Sequence, residues 1–277
     1  MLLNTTLLDG QLLALGTTSS PVADFAAPVR TGVLLTDGME LEIHAGPTSA
    51  ADFFFETTGS TPGAPVRLRT GQDLRTGAYG ARADQGLAFR IDVGGDALFG
   101  VAPPTMTRET LAAALSSARP DRGRRGLRLR PTGAVEWSPL RSLDLAVSAG
   151  DGSGHSVLLD VRRAFRPAPR GNGGQRVRGG WLSRSSPSER VHLVLETDDV
   201  VVYGIPPTES DLDLAVEVLA DLEIVLEDPP RDGAPGVDES SDVDGSSQGD
   251  GPSQGEASPD VGTVDDSGDA DPERELP

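Results

Sequence analysis

The 277-residue chain contains no cysteine and no lysine: all 24 of its basic side chains are arginine. The first absence excludes disulfides, thiolate nucleophiles and cysteine-based zinc sites. The second excludes a lysine-bearing phosphate loop, a Schiff base and a lysine general base. Aromatic residues make up only 4% of the chain, and histidine occurs three times, at His44, His155 and His192. Base-stacking platforms and imidazole metal sites are therefore poorly supplied. No apolar run approaches the ~20 residues of a bilayer-spanning helix. The opening MLLNTTLLDGQLLALG lacks the basic start of an export signal. The expectation is a cytoplasmic or virion-type soluble protein with no cofactor, no metal and no membrane partner. Arginine in place of lysine, with abundant alanine, glycine, proline, leucine and valine, points to a GC-rich genome of the actinobacterial kind.

What is present is acid, unevenly spread. The net charge is −19. Residues 1–118 carry −5, residues 119–190 carry +9, residues 191–228 carry −11 and residues 229–277 carry −12. The last segment is Asp, Ser, Gly, Pro and Gln with almost no large apolar residue, a composition expected to stay disordered because it buries too little surface to offset ordering entropy. Some 228 residues remain to form a core, as an expected first half, 1–118, and second half, 119–228.

Those halves are suggested by a unit that occurs twice. Leu87 to Ala118 and Val191 to Leu222 each read as two apolar runs around a turn, then Phe-Gly or Tyr-Gly, Pro-Pro-Thr and a short amphipathic helix. At an offset of 104, Phe99 and Gly100 fall on Tyr203 and Gly204. After a one-residue gap Pro103, Pro104 and Thr105 fall on Pro206, Pro207 and Thr208, and Leu111, Ala112 and Leu115 meet Leu214, Ala215 and Val218. The prolines must end their strands because they cannot donate to a ladder. Thr107 and Ser210 are the expected N-caps, Asp213 the expected capping-box acid, and Leu212, Ala215, Leu219 and Leu222 the buried helix face. Two copies are too few for a solenoid and fit a pseudo-symmetric pair.

Elsewhere, Asp37-Gly38 between Val33–Thr36 and Met39–His44 predicts a type I′ hairpin. Residues up to Leu15 predict one or two short strands, and Thr17 to Pro28 a loop. Phe53-Phe54-Phe55 predicts a short strand or an edge beneath a helix, and Val66–Arg69 a half-buried strand. The arginine-rich stretch from Arg119 leads as a connector into a strand at Gly126–Arg130. Further strands are expected at Ala134–Trp137, Leu143–Val147, Val157–Val161 and Val177–Leu182. Many strands and two helices without βαβ alternation give an α+β, β-rich class. The order of strand, hairpin, Pro-Pro and helix resembles small secretion-chaperone folds in outline, an analogy of fold rather than of function.

The polar feature that stands out is the arginine cluster Arg122, Arg124, Arg125, Arg128 and Arg130, continued by Arg162, Arg163, Arg166 and Arg170. Three readings compete: charge balance against Asp211, Asp213, Glu217, Asp221 or the acidic tail; a face for an acidic protein; and phosphate contacts of a nucleic acid, disfavoured by the overall negative charge and by having only Trp137, Phe165 and Trp181 nearby. The glycine-rich loop at Gly150, Gly152 and Gly154 lacks the spacing and the following helix of a phosphate cradle. Gly154-His155-Ser156-Val157-Leu158 starts like a nucleophile elbow but has leucine where the closing glycine belongs. Asp242-Val243-Asp244-Gly245 lacks the terminal Glu of a calcium loop. The expectation is a non-enzymatic adaptor or chaperone-like protein that binds another protein through an exposed sheet, helix or arginine-rich face, with a homo-oligomeric structural part of a phage particle or secretion apparatus as alternative. A hydrolase using Ser156, His155 or His192 and a carboxylate is the alternative of another class. The tail is expected to shield the arginines until a partner displaces it.

Overall fold

The computed structural model describes residues 1–18, 22–80, 86–123, 125–133, 135–149, 153–164, 174–185 and 191–227. The tail expected to be disordered, the calcium-like Asp242–Gly245 run and most of the glycine-rich loop lie outside the described residues, as do Arg124, Phe165, Arg166 and Arg170.

In chain order the elements are β1 (Leu2–Thr6), β2 (Leu12–Gly16), β3 (Val22–Thr36), β4 (Met39–Pro47), α1 (Thr48–Thr57), β5 (Val66–Arg67), β6 (Asp73–Ala78), β7 (Leu87–Val93), β8 (Asp96–Ala102), α2 (Arg108–Ser116), β9 (Ala118–Gly123), β10 (Gly126–Pro131), β11 (Glu136–Ala149), β12 (Ser156–Arg163), β13 (Gln175–Arg176), β14 (Trp181–Ser185), β15 (His192–Glu196), β16 (Val200–Ile205), α3 (Leu212–Asp221) and β17 (Glu223–Glu227). Twelve strands form one antiparallel sheet in the order β13-β14-β15-β16-β12-β11-β3-β4-β8-β7-β6-β5. Outward from the central β11–β3 pair the two sides run through the chain in the same order: β3, β4, β8, β7, β6, β5 on one, β11, β12, β16, β15, β14, β13 on the other. Two small sheets complete the pattern: β9 pairs with β10, and β17 pairs with β2, which in turn pairs with β1.

One face of the large sheet, the inner face, holds most of the core. On one side of it Leu111 and Leu115 of α2, with Leu127 and Leu129 of β10, pack on Leu34, Leu41, Ile43, Phe89, Ile91 and Leu98. On the other, Leu214, Ala215, Val218 and Leu219 of α3, with Leu13 and Leu15 of β2, pack on Leu143, Leu145, Val147, Leu159, Val161, Leu195 and Val202. Both stretches singled out by sequence fold as a hairpin and a helix, and a strand follows each helix. Their matched glycines sit at close approaches: a Cβ at Gly204 would lie 2.6 Å from Cδ1 of Leu219, and one at Gly100 would lie 2.5 Å from the Glu42 carbonyl.

The Asp37-Gly38 turn forms as expected, with positive φ at both residues (48° and 75°) and Thr36 opposite Met39. Several other expectations fail for local reasons. Phe53-Phe54-Phe55 is helix, not strand: α1 buries Ala51 and Phe55 at i, i+4 and leaves Phe53 exposed, a spacing the three-residue aromatic run conceals. There are thus three α-helices among the described residues, not two. Val22–Pro28 is not loop but the first half of β3, held by β11 through Phe25↔Val147 and Val29↔Asp144. Arg119–Gly123 is no connector; it is β9, whose Pro120 is tolerated in a two-stranded ladder. Val177–Gly180 turns between β13 and β14, its Val177 N–H donating to the Gly180 carbonyl. Finally, Thr208, not Ser210, caps the third helical segment. It starts as a 3₁₀ turn at Glu209–Asp211, and the capping-box acid is Asp211, not Asp213.

Candidate functional site

Six of the eight arginines proposed as binding residues are described, and the large sheet divides them. Arg122, Arg125, Arg128 and Arg130 belong to the β9–β10 hairpin, which packs on the inner face. Arg128 donates to Asp121 Oδ2 (2.8 Å) and Arg130 lies 3.3 Å from the same oxygen. Arg122 Nε lies 3.4 Å from Asp96 Oδ2. Arg125 is exposed, and its carbonyl accepts the Thr6 N–H and the Thr5 and Thr6 hydroxyls. Arg162 and Arg163 are neighbours on β12 and point to opposite sides. Arg163 donates to Gln11 Oε1 (3.3 Å). Arg162 lies on the outer face, clasping Asp160 (2.8 Å) with its guanidinium 5.0 Å from the Tyr203 ring centre.

Among the described residues the hairpin arginines and Arg162 meet Asp121, Asp96 and Asp160, and the acidic tail lies outside the described residues. Asp221 of α3 accepts from the Thr18 N–H (2.6 Å) and pairs with Arg178, which also holds Glu223 of β17 at 2.6 Å. Two arginines the sequence did not single out are the buried ones. Arg141 donates to Asp9 Oδ2 (2.9 Å) and stacks 4.3 Å over Trp137, and its carbonyl partners are Ser138 and Leu140. Arg30 sits beneath the hairpin at Gly126 with Nε on the Thr5 hydroxyl (3.3 Å), and desolvation lowers its pKa.

His155 and Asp211 do come together, with Nδ1 2.9 Å from Oδ1. The same Oδ1 accepts the Ser156 N–H (3.2 Å), and Oδ2 accepts the Thr208 N–H (3.1 Å) and hydroxyl (2.6 Å). The Thr208 and His155 hydrogen bonds hold the carboxyl down at about 2. This is a knot joining the start of β12 to the cap of α3. Ser156 enters it through its backbone N–H. His192 lies on β15, its ring 6.1 Å from that of Tyr203. Among the described residues no group of three or more His, Asp or Glu is placed to hold a metal ion. No helix of the described residues is long and apolar enough to cross a membrane.

The sequence allows for an exposed sheet face without naming its residues. On its N-terminal side α1 covers it: Ala51 packs on Ala97 and Phe99, and the Phe54 ring lies 5.3 Å from that of Phe99 and 6.2 Å from that of His44. Arg90 ties the helix down by bonding both Asp52 and Asp92. On the C-terminal side, over β12, β16 and β15, the described residues place no element. Leu158 is 50% exposed there, and Val194, Val201, Tyr203 and Ile205 are half-buried. Between the two sides runs a polar strip. The Thr31 hydroxyl meets His44 Nδ1 (2.8 Å), His44 Nε2 lies 3.2 Å from Glu42, and Asp144 faces Asp160 across β11 and β12. Asp144 reaches solvent but is hemmed in by the sheet. Desolvation first, and the Asp160 charge second, push its carboxyl up to about 6.

A signal for this face was present. In Val157-Leu158-Leu159 and Val200-Val201-Val202-Tyr203 apolar residues occupy both strand parities, the mark of a strand expecting cover on two sides. No protein-family model, curated protein or solved structure matches the chain.

Proposed function

We propose that the protein is a non-enzymatic binding module of the adaptor or chaperone-like kind, and that a partner polypeptide docks on the outer face over β12, β16 and β15. The observation that carries this is the apolar set around Leu158, over which the described residues place no element, on the sheet face whose N-terminal side is covered by α1.

The nature of the partner follows from an internal duplication, which we propose as part of the same reading. Strand order supports it, as does register. Phe99 lies opposite His44, and Tyr203 opposite Asp160; Thr31 lies opposite His44, and Asp144 opposite Asp160. Carrying Thr31 onto Asp144 and Val29 onto Ser142 turns the Val29↔Asp144 pair into Thr31↔Ser142, and both pairs are present in the β3–β11 ladder. Under that relation Tyr203 stands where Phe99 receives α1. The partner element that fits is a short amphipathic helix presenting a small and an aromatic residue about one turn apart, as Ala51 and Phe54 do toward Phe99.

The structural-component alternative requires chains to associate repeatedly. The sheet's two edges, β5 and β13, are two-residue strands, a design that blunts edge-to-edge pairing. This favours the adaptor reading. The test is native mass spectrometry of the full chain purified from its host beside a Leu158→Asp variant. A co-purifying protein lost from the variant, with an unchanged melting temperature, supports the proposal. A complex that survives Leu158→Asp overturns it, and a homo-oligomer in place of a complex moves the reading to the structural alternative.

A further inference from the structure

On the outer face the polar strip borders the apolar set around Leu158, and there its charges do not close. Asp144 and Asp160 are direct cross-strand partners, and like charges directly opposite each other are unfavourable. The guanidinium beside them, that of Arg162, gives both Nε and Nη2 to Asp160 beneath the Tyr203 ring. Asp144 is exposed and meets no donor among the described residues. From β4, His44 is already bonded to Thr31, and Glu42, paired with His44, adds a further acid. From β15, Glu196 lies opposite Val201 on the same face, while Arg176 stands out at the sheet edge over Trp181.

The side under α1 is the contrast. In the duplication proposed above, Thr31 and His44 stand where Asp144 and Asp160 do, and a 2.8 Å hydrogen bond closes that pair. The helix over it is tied down by opposite charge, Arg90 of the sheet bonding Asp52 of α1. Arg90 lies opposite Phe99 and Val194 opposite Tyr203, so the open side has valine where α1 finds its guanidinium. What it offers a covering helix instead is a carboxylate. Leu158 lies opposite Ala146, which makes Asp144 its diagonal neighbour on the same face, ~7–8 Å away. A helix seated on Leu158 therefore reaches Asp144 from its flank. Apolar cover alone would take water from that carboxylate and return nothing, which opposes docking.

We infer that the helix docking on this face belongs to a partner protein and carries a cationic side chain beside its apolar stripe, and that Asp144 is the residue that receives it. The inference rests on the docking reading above and adds the partner's charge to it. Asp144 thereby selects among apolar helices: one with a cation on that flank is accepted, and one with a neutral or acidic residue there is not.

Two synthetic peptides of about 20 residues, long enough to hold a helix in water, serve as probes. Each carries Ala and Phe at the spacing of Ala51 and Phe54, and they differ at one flanking position, Arg or Gln. Affinities for the full chain are read by fluorescence anisotropy, with melting temperatures measured alongside. The Arg peptide is expected to bind roughly tenfold more tightly than its Gln twin. Asp144→Asn should abolish that difference, and Leu158→Ser should weaken both peptides. A variant that melts no lower than the parent at neutral pH and yet loses the Arg preference is a result that a merely structural Asp144 would not give. Equal affinities for the two peptides, or an Arg preference that persists in Asp144→Asn, overturn the inference, and the docking reading stands as long as Leu158→Ser weakens both. Binding indifferent to Leu158→Ser, or no binding by either peptide, overturns the docking reading and the inference with it. A dimer of the unmodified chain in sedimentation, broken by Leu158→Ser, makes a second copy the occupant and overturns the inference as well.

Discussion

Arg30 and Leu143 face each other across β3 and β11 at the centre of the twelve-stranded sheet, and they lie where the two halves of the strand order meet. The duplication we propose would place its pseudo-twofold axis between them. The pair itself is chemically unequal. Leu143 joins the core of one side, whereas Arg30 is a buried cation under the β9–β10 hairpin.

Gly204 tests the packing that a matched glycine permits. A Cβ there would lie 2.6 Å from Leu219 Cδ1, so Gly204→Ala is expected to cost about 1–3 kcal/mol in urea unfolding by overpacking. Combined with Leu219→Ala, the two costs should fall short of their sum, because the clash disappears with the leucine. Simple additivity would show that the two do not meet.

Arg141 is expected to matter more than any exposed arginine. Its side chain is 4% exposed, and Asp9, its partner, is 12% exposed. Arg141→Met removes one half of a buried pair and should cost about 3 kcal/mol, measured by denaturant unfolding. Arg67→Met, at an exposed pair with Asp73, should change stability by less than about 1 kcal/mol.

Asp144 gives a pH dependence of definite sign. Its pKa is raised from 3.8 to about 6, so the folded state holds the proton more tightly than the unfolded one. The carboxyl is no burden below about pH 4, where both states are protonated, and becomes a full one above about pH 6. Asp144→Asn should therefore raise the melting temperature at pH 7, by about 2 °C, and the gain should vanish as the pH falls to 4. A gain that is constant with pH would point to packing instead.

Asp211 has the opposite sign. Its pKa is lowered from 3.8 to about 2, so its contribution is complete above about pH 4 and lost as the pH falls through 2. Asp211→Asn should lower the melting temperature at pH 6 more than Ser210→Ala does, with the difference shrinking toward pH 2. His155→Ala should reproduce part of this loss and Ser156→Ala little of it, since Ser156 contributes its backbone N–H.

The parts legible in the sequence were those set by neighbours along the chain. Asp37-Gly38 is a turn because both residues tolerate positive φ, and Pro103-Pro104 ends β8 because neither residue has an N–H to give. The cap of the third helical segment was misplaced by two residues because Thr208 and Ser210 are both good caps locally. Asp211 decides between them, since it is held by His155 and Ser156 from β12. Phe53-Phe54-Phe55 was misread because three adjacent aromatics carry no period; the surface offered by Ala97 and Phe99 on β8 selects the helix.

The arginine cluster shows the same boundary from the functional side. Its charge, its crowding in residues 119–130 and the acidity of the tail are properties of composition and needed no coordinates. That Arg162 and the hairpin arginines lie on opposite faces, that α1 covers one part of the outer face, and that Glu227 ends beside Arg125 depend on which strands pair across more than a hundred residues. The sequence by itself determined turns, strand ends, helix faces and the sign of each segment's charge, because these follow from backbone freedom and local periodicity. The tertiary structure alone decided which surfaces are covered and which charges meet, because long-range strand order follows from the joint burial of many apolar side chains and leaves no mark at any single position.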